Sequence, residues 1–190
     1  MPTYPTLEPV PESIETERLL MRPYQPGDGV QVIEALLESR AELDPWFDWH
    51  QRFATVEDAE DLVLRRRADF IRRDDLTYAL FDRQTGRFLG ATGLHRPNWP
   101  DRIFEIGYFL RTSATGAGYM TEAVRALTVM ALETLHANRI EIWCNANNFA
   151  SQRVAERAGF TLEGRLRNHQ VTHHGELRDS LVYSIIPPQG

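Results

Sequence analysis

Residues 104–135, FEIGYFLRTSATGAGYMTEAVRALTVMALETL, constrain this chain more than any other stretch. They predict a buried strand, a glycine turn and a long amphipathic helix. Phe104, Ile106, Tyr108, Phe109 and Leu110 are the aromatic and branched residues a pleated strand favours. Residues 112–118 are small, with Gly116 and Gly118 on either side of Ala117. Met120, Ala123, Val124, Leu127, Ala131 and Leu135 then recur at helical spacing, with Glu122, Arg125 and Glu133 off that stripe. A small-residue turn that opens a helix leaves main-chain N–H groups unpaired at the positive end of the helix dipole. Such a place suits a phosphate, and glycine lets it approach without meeting a Cβ. A turn kept glycine-rich for steric reasons alone would read the same, so the turn does not decide between the two.

The flanking elements narrow the choice. Residues 16–23, TERLLMRP, predict a short strand ended by Pro23 and the run from Gln25 to Gly29. Residues 30–40 predict a helix with Val30, Ile33, Leu36 and Leu37 on one face. Residues 41–55 are a loop crowded with Trp46, Phe47, Trp49, His50 and Phe53. Rings in such a loop either pack into the core or line a pocket. Residues 56–74 predict a second helix whose arginines read as a solvated face. Residues 77–82 and 88–95 are strands joined by the hairpin turn RQTG. After the long helix come a strand at 139–145 and a helix capped by Asn147 or Asn148 and closed by Gly159. Ser151, Val154, Ala155 and Ala158 share a face of that helix, so Ser151 is expected to point toward the sheet. Residues 161–166 and 180–186 complete the strands.

Three antiparallel strands ahead of the glycine turn are unlike a dinucleotide fold, which alternates strand and helix from its start. The strand after the helix ends in Asn145 rather than an acid, so NAD binding is rejected. The 190 residues suit one domain, expected over residues 16–186 behind a loosely held lead at residues 1–15. No apolar run reaches membrane-spanning length, and the N-terminus lacks the pattern of a secretory signal. A single cysteine, Cys144, excludes an internal disulfide and fits a reducing cytoplasm. The net charge of −6 argues against broad nucleic-acid binding and suits an amine-bearing substrate. His173 and His174 lie near His169, but no third ligand is evident and no metal is expected.

The segments EIGYFL and SATGAGYMTEA resemble motif A of the GNAT acetyltransferases, in particular their RimJ/RimL branch of ribosomal-protein N-terminal acetyltransferases. That motif begins with Gln or Arg; here Ser113 stands there, with Arg111 two residues earlier. The segment from Asn148 to Phe160 is similar to motif B, with Asn148, Ser151, Val154, Glu156, Gly159 and Phe160 at its fixed places. The TxRLxxRP run, and Gly175, Asp179, Tyr183 and Ser184, resemble the branch's opening strand and closing hairpin. The resemblance implies an α+β, three-layer GNAT fold: a mixed, mostly antiparallel sheet of about seven strands flanked by about four helices.

It also implies transfer of an acetyl group from acetyl-coenzyme A to a primary amine, by direct attack on the thioester. The pantetheine arm would run beside Phe109, Leu110 and Arg111, and Thr115, Gly116, Ala117, Gly118, Tyr119 and Met120 would hold the pyrophosphate. Asn148, Ser151 and Arg153 would complete the cofactor site, with Arg111, Arg153 or Arg157 at the 3′-phosphate. Glu105 is the first candidate for the base, a main-chain N–H at Tyr108 or Phe109 would meet the oxyanion, and Ser151 would serve the departing thiolate. Many family members carry a Tyr one turn beyond, where this chain has Ala155. Trp46, Trp49 and His169 are candidates for the acceptor pocket. An α-amine, with a pKa near ~8, is partly neutral at pH 7, whereas a lysine near ~10.4 is not. A protein or peptide N-terminus is therefore the expected acceptor. A small-molecule amine and a non-catalytic acyl-CoA sensor remain as alternatives, and the chain is expected as a monomer or homodimer.

Overall fold

The computed structural model describes residues 4–47, 52–172 and 175–187. Eight strands form one sheet in the order β1-β2-β3-β4-β5-β6-β8-β7. They are β1 (Ile14–Glu15), β2 (Leu19–Arg22), β3 (Leu76–Asp82), β4 (Phe88–Asn98), β5 (Ile103–Leu110), β6 (Arg139–Asn145), β7 (Thr161–Val171) and β8 (Leu177–Ile185). The helices are α1 (Gly29–Glu38), α2 (Arg40–Leu43), α3 (Val56–Arg72), α4 (Tyr119–Glu133) and α5 (Phe149–Ala158). Among the described residues no helix is long and apolar enough to cross a membrane.

Strand alternation distributes the core over both faces. Along β3, Ala79 and Phe81 meet Val32, Leu36 and Val63 of α1 and α3. Tyr78 and Leu80 turn to the other face, into the cluster that holds Ala123, Leu127 and Ala131 of α4. Covered on both faces, β3 is buried without a break from Leu76 to Phe81 rather than alternately. The sheet is antiparallel except where β5 and β6 run parallel. There the register pairs only Ile103 with Arg139, Phe104 with Ile140 and Glu105 with Glu141. Beyond Glu105, β5 continues along β4 as far as Leu110, while β6 stays with β8 as far as Asn145. The two strands therefore part, and a cleft opens in the middle of the sheet.

Several expectations change. The helix expected at 30–40 breaks at the buried Ser39, whose hydroxyl accepts the Thr112 N–H at 2.9 Å, and α2 takes up the start of the expected loop. The short β1 brings the strand count to eight. Residues 4–15, expected as a loose lead, are tied to the domain. Val10 is buried, Pro11 O accepts from the Tyr78 hydroxyl at 2.7 Å, and Glu8 forms two 2.9 Å bonds with Arg102.

One ion pair anchors the end of β5. Arg111 is 1% exposed, its guanidinium bound to Glu38 at the end of α1 and to Phe88 O. Glu38 also accepts the Ser113 N–H at 2.8 Å. The Arg111 hydrogen bond, followed by that from Ser113, holds the Glu38 carboxyl down at about 2. A carboxylate depressed on folding stabilises fully above its unfolded pKa of about 4.3, and that support is lost as pH falls toward the folded value. Glu38→Gln should cost about 3 kcal/mol by leaving a buried guanidinium short of its counter-charge. It should also flatten the loss of stability between about pH 4.5 and pH 2, where Glu38 protonates. Urea melts across that range check both.

Candidate active site

The cleft ends at the turn that starts α4. Gly116 (φ 79°) and Gly118 (φ 84°) both lie in the left-handed region, where residues with a Cβ are strained. Gly118 is the N-cap and brings no side chain to cap the helix. The first intrahelical bond is Glu122 N–H to Gly118 O, so the N–H groups of Tyr119, Met120 and Thr121 have no acceptor within the helix. Nothing lies within 4 Å of where a Cβ on Gly116 would sit. Open space, bare amides and the helix dipole together suit a diphosphate.

Arg18, just before β2, braces this turn. It donates to Ala117 O at 2.9 Å, and its guanidinium stacks 4.5 Å from the centre of the Tyr119 ring. Glu122, in the first turn of α4, accepts from the Thr16 hydroxyl (2.6 Å), the Arg18 N–H (3.0 Å) and Arg18 Nε (2.7 Å). Burial works to raise the Glu122 carboxyl, but these bonds outweigh it and hold it below the ordinary range. The TER of the opening strand is thus the clamp on the glycine turn. In the sequence its only mark is the TxRL motif.

In the middle of the cleft, Ser151 meets Tyr108. Their hydroxyl oxygens are 2.9 Å apart, and the Tyr108 hydroxyl lies 3.1 Å from Ser151 O. The Asn148 side chain accepts the Ser151 N–H at 3.0 Å and so caps α5 itself, leaving the Ser151 hydroxyl for the cleft. Burial pushes the Tyr108 phenol up. Burial also raises the Cys144 thiol, opposed by a bond from Ser151.

The register decides which main-chain donors face the gap. Arg111 N–H donates to Leu89 O at 2.8 Å, so in the antiparallel β4–β5 pair the N–H groups of Gly107 and Phe109 also turn toward β4. Those of Tyr108 and Leu110 turn away from β4, into the cleft. Of the two N–H groups left open above, the alternation turns that of Tyr108 into the gap.

The cleft, of about 490 Å³, brings together Glu105, Phe109, Leu110, Thr115, Gly116, Gly118, Tyr119, Met120, Asn148, Ser151 and the exposed Arg153, together with Trp46. It opens into a cavity of about 540 Å³ that also holds Trp46 and Glu105, with Glu141, Trp143, His169 and Arg178. Glu105 receives Arg96 Nη1 at 2.7 Å, and the in-register Glu141 receives Trp143 Nε1 at 2.8 Å. His169 lies 5.2 Å from the Trp143 ring, with Nδ1 3.0 Å from the Ser180 hydroxyl. Ala117 contributes its carbonyl to Arg18. The Arg111 side chain is a correction: alternation buries it against Glu38, away from any 3′-phosphate, which leaves Arg153 and Arg157 lining the cleft. Trp49, His173 and His174 lie outside the described residues. Among the described residues no three His, Cys, Asp or Glu side chains gather to hold a metal ion.

Comparison with known proteins agrees with this geometry. The family model described as "Acetyltransferase (GNAT) domain" matches residues 18–161. YdaF of Bacillus subtilis, provisionally named a ribosomal N-acetyltransferase, is 27% identical over 174 residues, covering 90% of this chain and 92% of that protein. YjcK of the same organism, provisionally named an N-acetyltransferase, is 31% identical over 137 residues, 72% of this chain and 75% of its own length. A RimL ribosomal-protein α-N acetyltransferase solved with coenzyme A superposes with a TM-score of 0.85 at 25% identity, covering 92% of this chain and 98% of that one.

Gly118→Val would force a branched residue into the left-handed region and set methyl groups beside the bare amides, at a cost of about 1–2 kcal/mol in stability. Calorimetric titration should show coenzyme A affinity reduced at least about tenfold, while circular dichroism keeps the native helix content. Unchanged affinity would make the turn a steric feature alone.

Proposed function

We propose, from the premise that this chain belongs to the GNAT acetyltransferase family, that it transfers the acetyl group of acetyl-coenzyme A to the α-amine of a protein or peptide N-terminus in the cytoplasm. The observation that carries this is the cleft where β5 and β6 part. It has bare helix amides at one end, the Ser151 hydroxyl midway and a carboxylate-lined aromatic cavity at the other. The residues fit the co-substrate: an uncapped glycine turn for the diphosphate, and outward N–H groups of β5 for an extended arm.

Acetyl-coenzyme A supplies an activated carbonyl on a thioester. The chain's residues do the rest. The amides of Tyr119, Met120 and Thr121 hold the diphosphate, braced from behind by Arg18 and Glu122. The Tyr108 N–H donates to the developing oxyanion, a fixed dipole in a largely dry site. The Ser151 hydroxyl, oriented by Tyr108, hydrogen-bonds the departing sulfur. Glu105 and Glu141, side by side on adjacent strands and paired with Arg96 and Arg139, offer carboxylate oxygens as hydrogen-bond acceptors to the amine of the acceptor.

Relatives named as ribosomal-protein acetyltransferases favour a protein acceptor, as does the lower basicity of an α-amine. The rings of Trp46, Trp143 and His169 around the second cavity support a second reading, a small aromatic amine. A sensor without catalysis is disfavoured, because Glu105 and Ser151 both face the cleft.

Thiol release measured against a panel of peptides with varied N-termini, and of small amines, tests the acceptor. Peptides with free α-amines should be the better substrates, and N-terminally blocked peptides carrying lysine should be poor. Ser151→Ala should lower kcat about tenfold or more while acetyl-coenzyme A affinity changes little. Tyr108→Phe should reproduce part of that loss, and the double variant should be no worse than Ser151→Ala, since both act on one hydroxyl. Equal losses in kcat and affinity would reduce Ser151 to a binding role.

A further inference from the structure

An Asp–His pair that the sequence did not single out lies beside Gly107, a residue that lines the same cleft. We propose that His95, held by Asp75, is the proton acceptor for the attacking amine; this rests on the acetyl-transfer reading above. His95 lies on β4 directly opposite Glu105 of β5, so the two side chains share a face of the sheet. Its ring leans over the next same-face pair, Gly93 and Gly107. A Cβ on Gly107 would stand 2.8 Å from His95 Cδ2 and 3.0 Å from Nε2, and one on Gly93 would be 3.2 Å from Cε1. The imidazole therefore occupies a seat that any larger residue at 107 would fill. Gly107 itself lines the cleft, between Glu105 and the Tyr108 N–H that faces the oxyanion.

The tautomer follows from the partners. His95 Nδ1 is 2.6 Å from Asp75 Oδ2, just ahead of β3. The other Asp75 oxygen accepts from the Thr77 hydroxyl, and Arg66 of α3 lies 3.4 Å away. Burial works to raise the Asp75 carboxyl, but the His95 bond and these neighbours hold it below the ordinary range. A charged carboxylate can only accept, so Nδ1 carries the proton and Nε2 presents its lone pair beside Gly107. Asp75 is the positioning residue, and it stabilises the imidazolium once formed. The charged groups around the ring are Arg66 from α3, Asp75, Arg96 on β4 and Glu105 on β5. The ring is 27% exposed, so its proton can pass on to water.

The step balances. As the amine nitrogen bonds to the acyl carbon, one N–H bond breaks, its electron pair stays on nitrogen, and the proton moves to His95 Nε2, directly or over one water. The C–S bond breaks with its electrons on sulfur, where Ser151 donates a hydrogen bond. The imidazolium returns its proton to water, and the thiolate takes one up. An acceptor that arrives as an ammonium first gives one proton to water and attacks as the neutral amine; Glu105, already paired with Arg96, receives the amine rather than serving as the base.

The test is the pH dependence of kcat for the full chain, with two accepted amines of different basicity. The wild type should show an acid limb that falls at the same pH for both acceptors. His95→Gln should lower kcat at least about 10²-fold and abolish the limb, leaving the KM for acetyl-coenzyme A unchanged. Asp75→Asn should move the limb to lower pH, because the imidazolium loses its counter-charge. A limb that follows the basicity of the acceptor, or that persists in His95→Gln, overturns the proposal. If His95→Gln does not fold, an unmoved limb in Asp75→Asn overturns it instead. A wild-type chain that releases no thiol with any amine would sink the acetyl-transfer reading; an active one indifferent to His95→Gln would sink only this proposal.

Discussion

Strands β5 and β6 hold each other over three residue pairs and then separate, because each has a stronger attachment on its far side. β5 stays in register with β4 from Glu105 to Leu110, and β6 stays with β8 from Ile140 to Asn145. A sheet that opens in this way leaves polar main chain facing a gap, which is costly in a dry core. The unpaired N–H groups of Tyr108 and Leu110 therefore call for a polar occupant. An extended ligand that pairs as a strand would satisfy them, and the cleft's other features follow its length.

The glycine turn at the end of that cleft is soft by composition and firm by attachment. From one side, Glu38 and Ser39 take the N–H groups of Ser113 and Thr112. From the other, Arg18 holds Ala117 O, while Glu122 ties α4 to Thr16 and Arg18. Neither set of contacts uses the amides of Tyr119, Met120 and Thr121. The turn is thus positioned without its anion-binding groups being occupied, which is what a site organised before its ligand arrives requires. The same arrangement takes the Arg111 guanidinium out of the cleft, since it is spent on Glu38.

Chemistry is divided between the two sides of the sheet. Tyr108 points its hydroxyl to α5 and Ser151, on the leaving-group side, and turns its N–H into the gap between the strands. Glu105 and His95 share the opposite face, where Glu105 lines the second cavity and the His95 ring lies over Gly107. One strand, β5, thereby carries Glu105, the outward Tyr108 N–H and the Tyr108 hydroxyl along one edge of the cleft, and Gly107 at its centre leaves room for the imidazole.

Local pattern in the chain was enough for the strand, turn and helix of residues 104–135, the hairpin of β3 and β4, and a helix capped by Asn147 or Asn148 with Ser151 turned inward. Each depends on spacing, capping and turn chemistry between near neighbours. The contacts that decide the site span long separations: Arg18 with Glu122, Glu38 with Arg111, Asp75 with His95, Tyr108 with Ser151. An arginine just before the glycine turn reads equally as a phosphate ligand or as a buried ion pair. Only the facing end of α1 makes it the second. A lone histidine in a strand likewise carries no mark of an aspartate 20 residues away. Sequence determined which elements form, because their energetics are local; tertiary structure decided which polar groups are consumed by one another and which stay free, because that depends on what the sheet brings within hydrogen-bond reach.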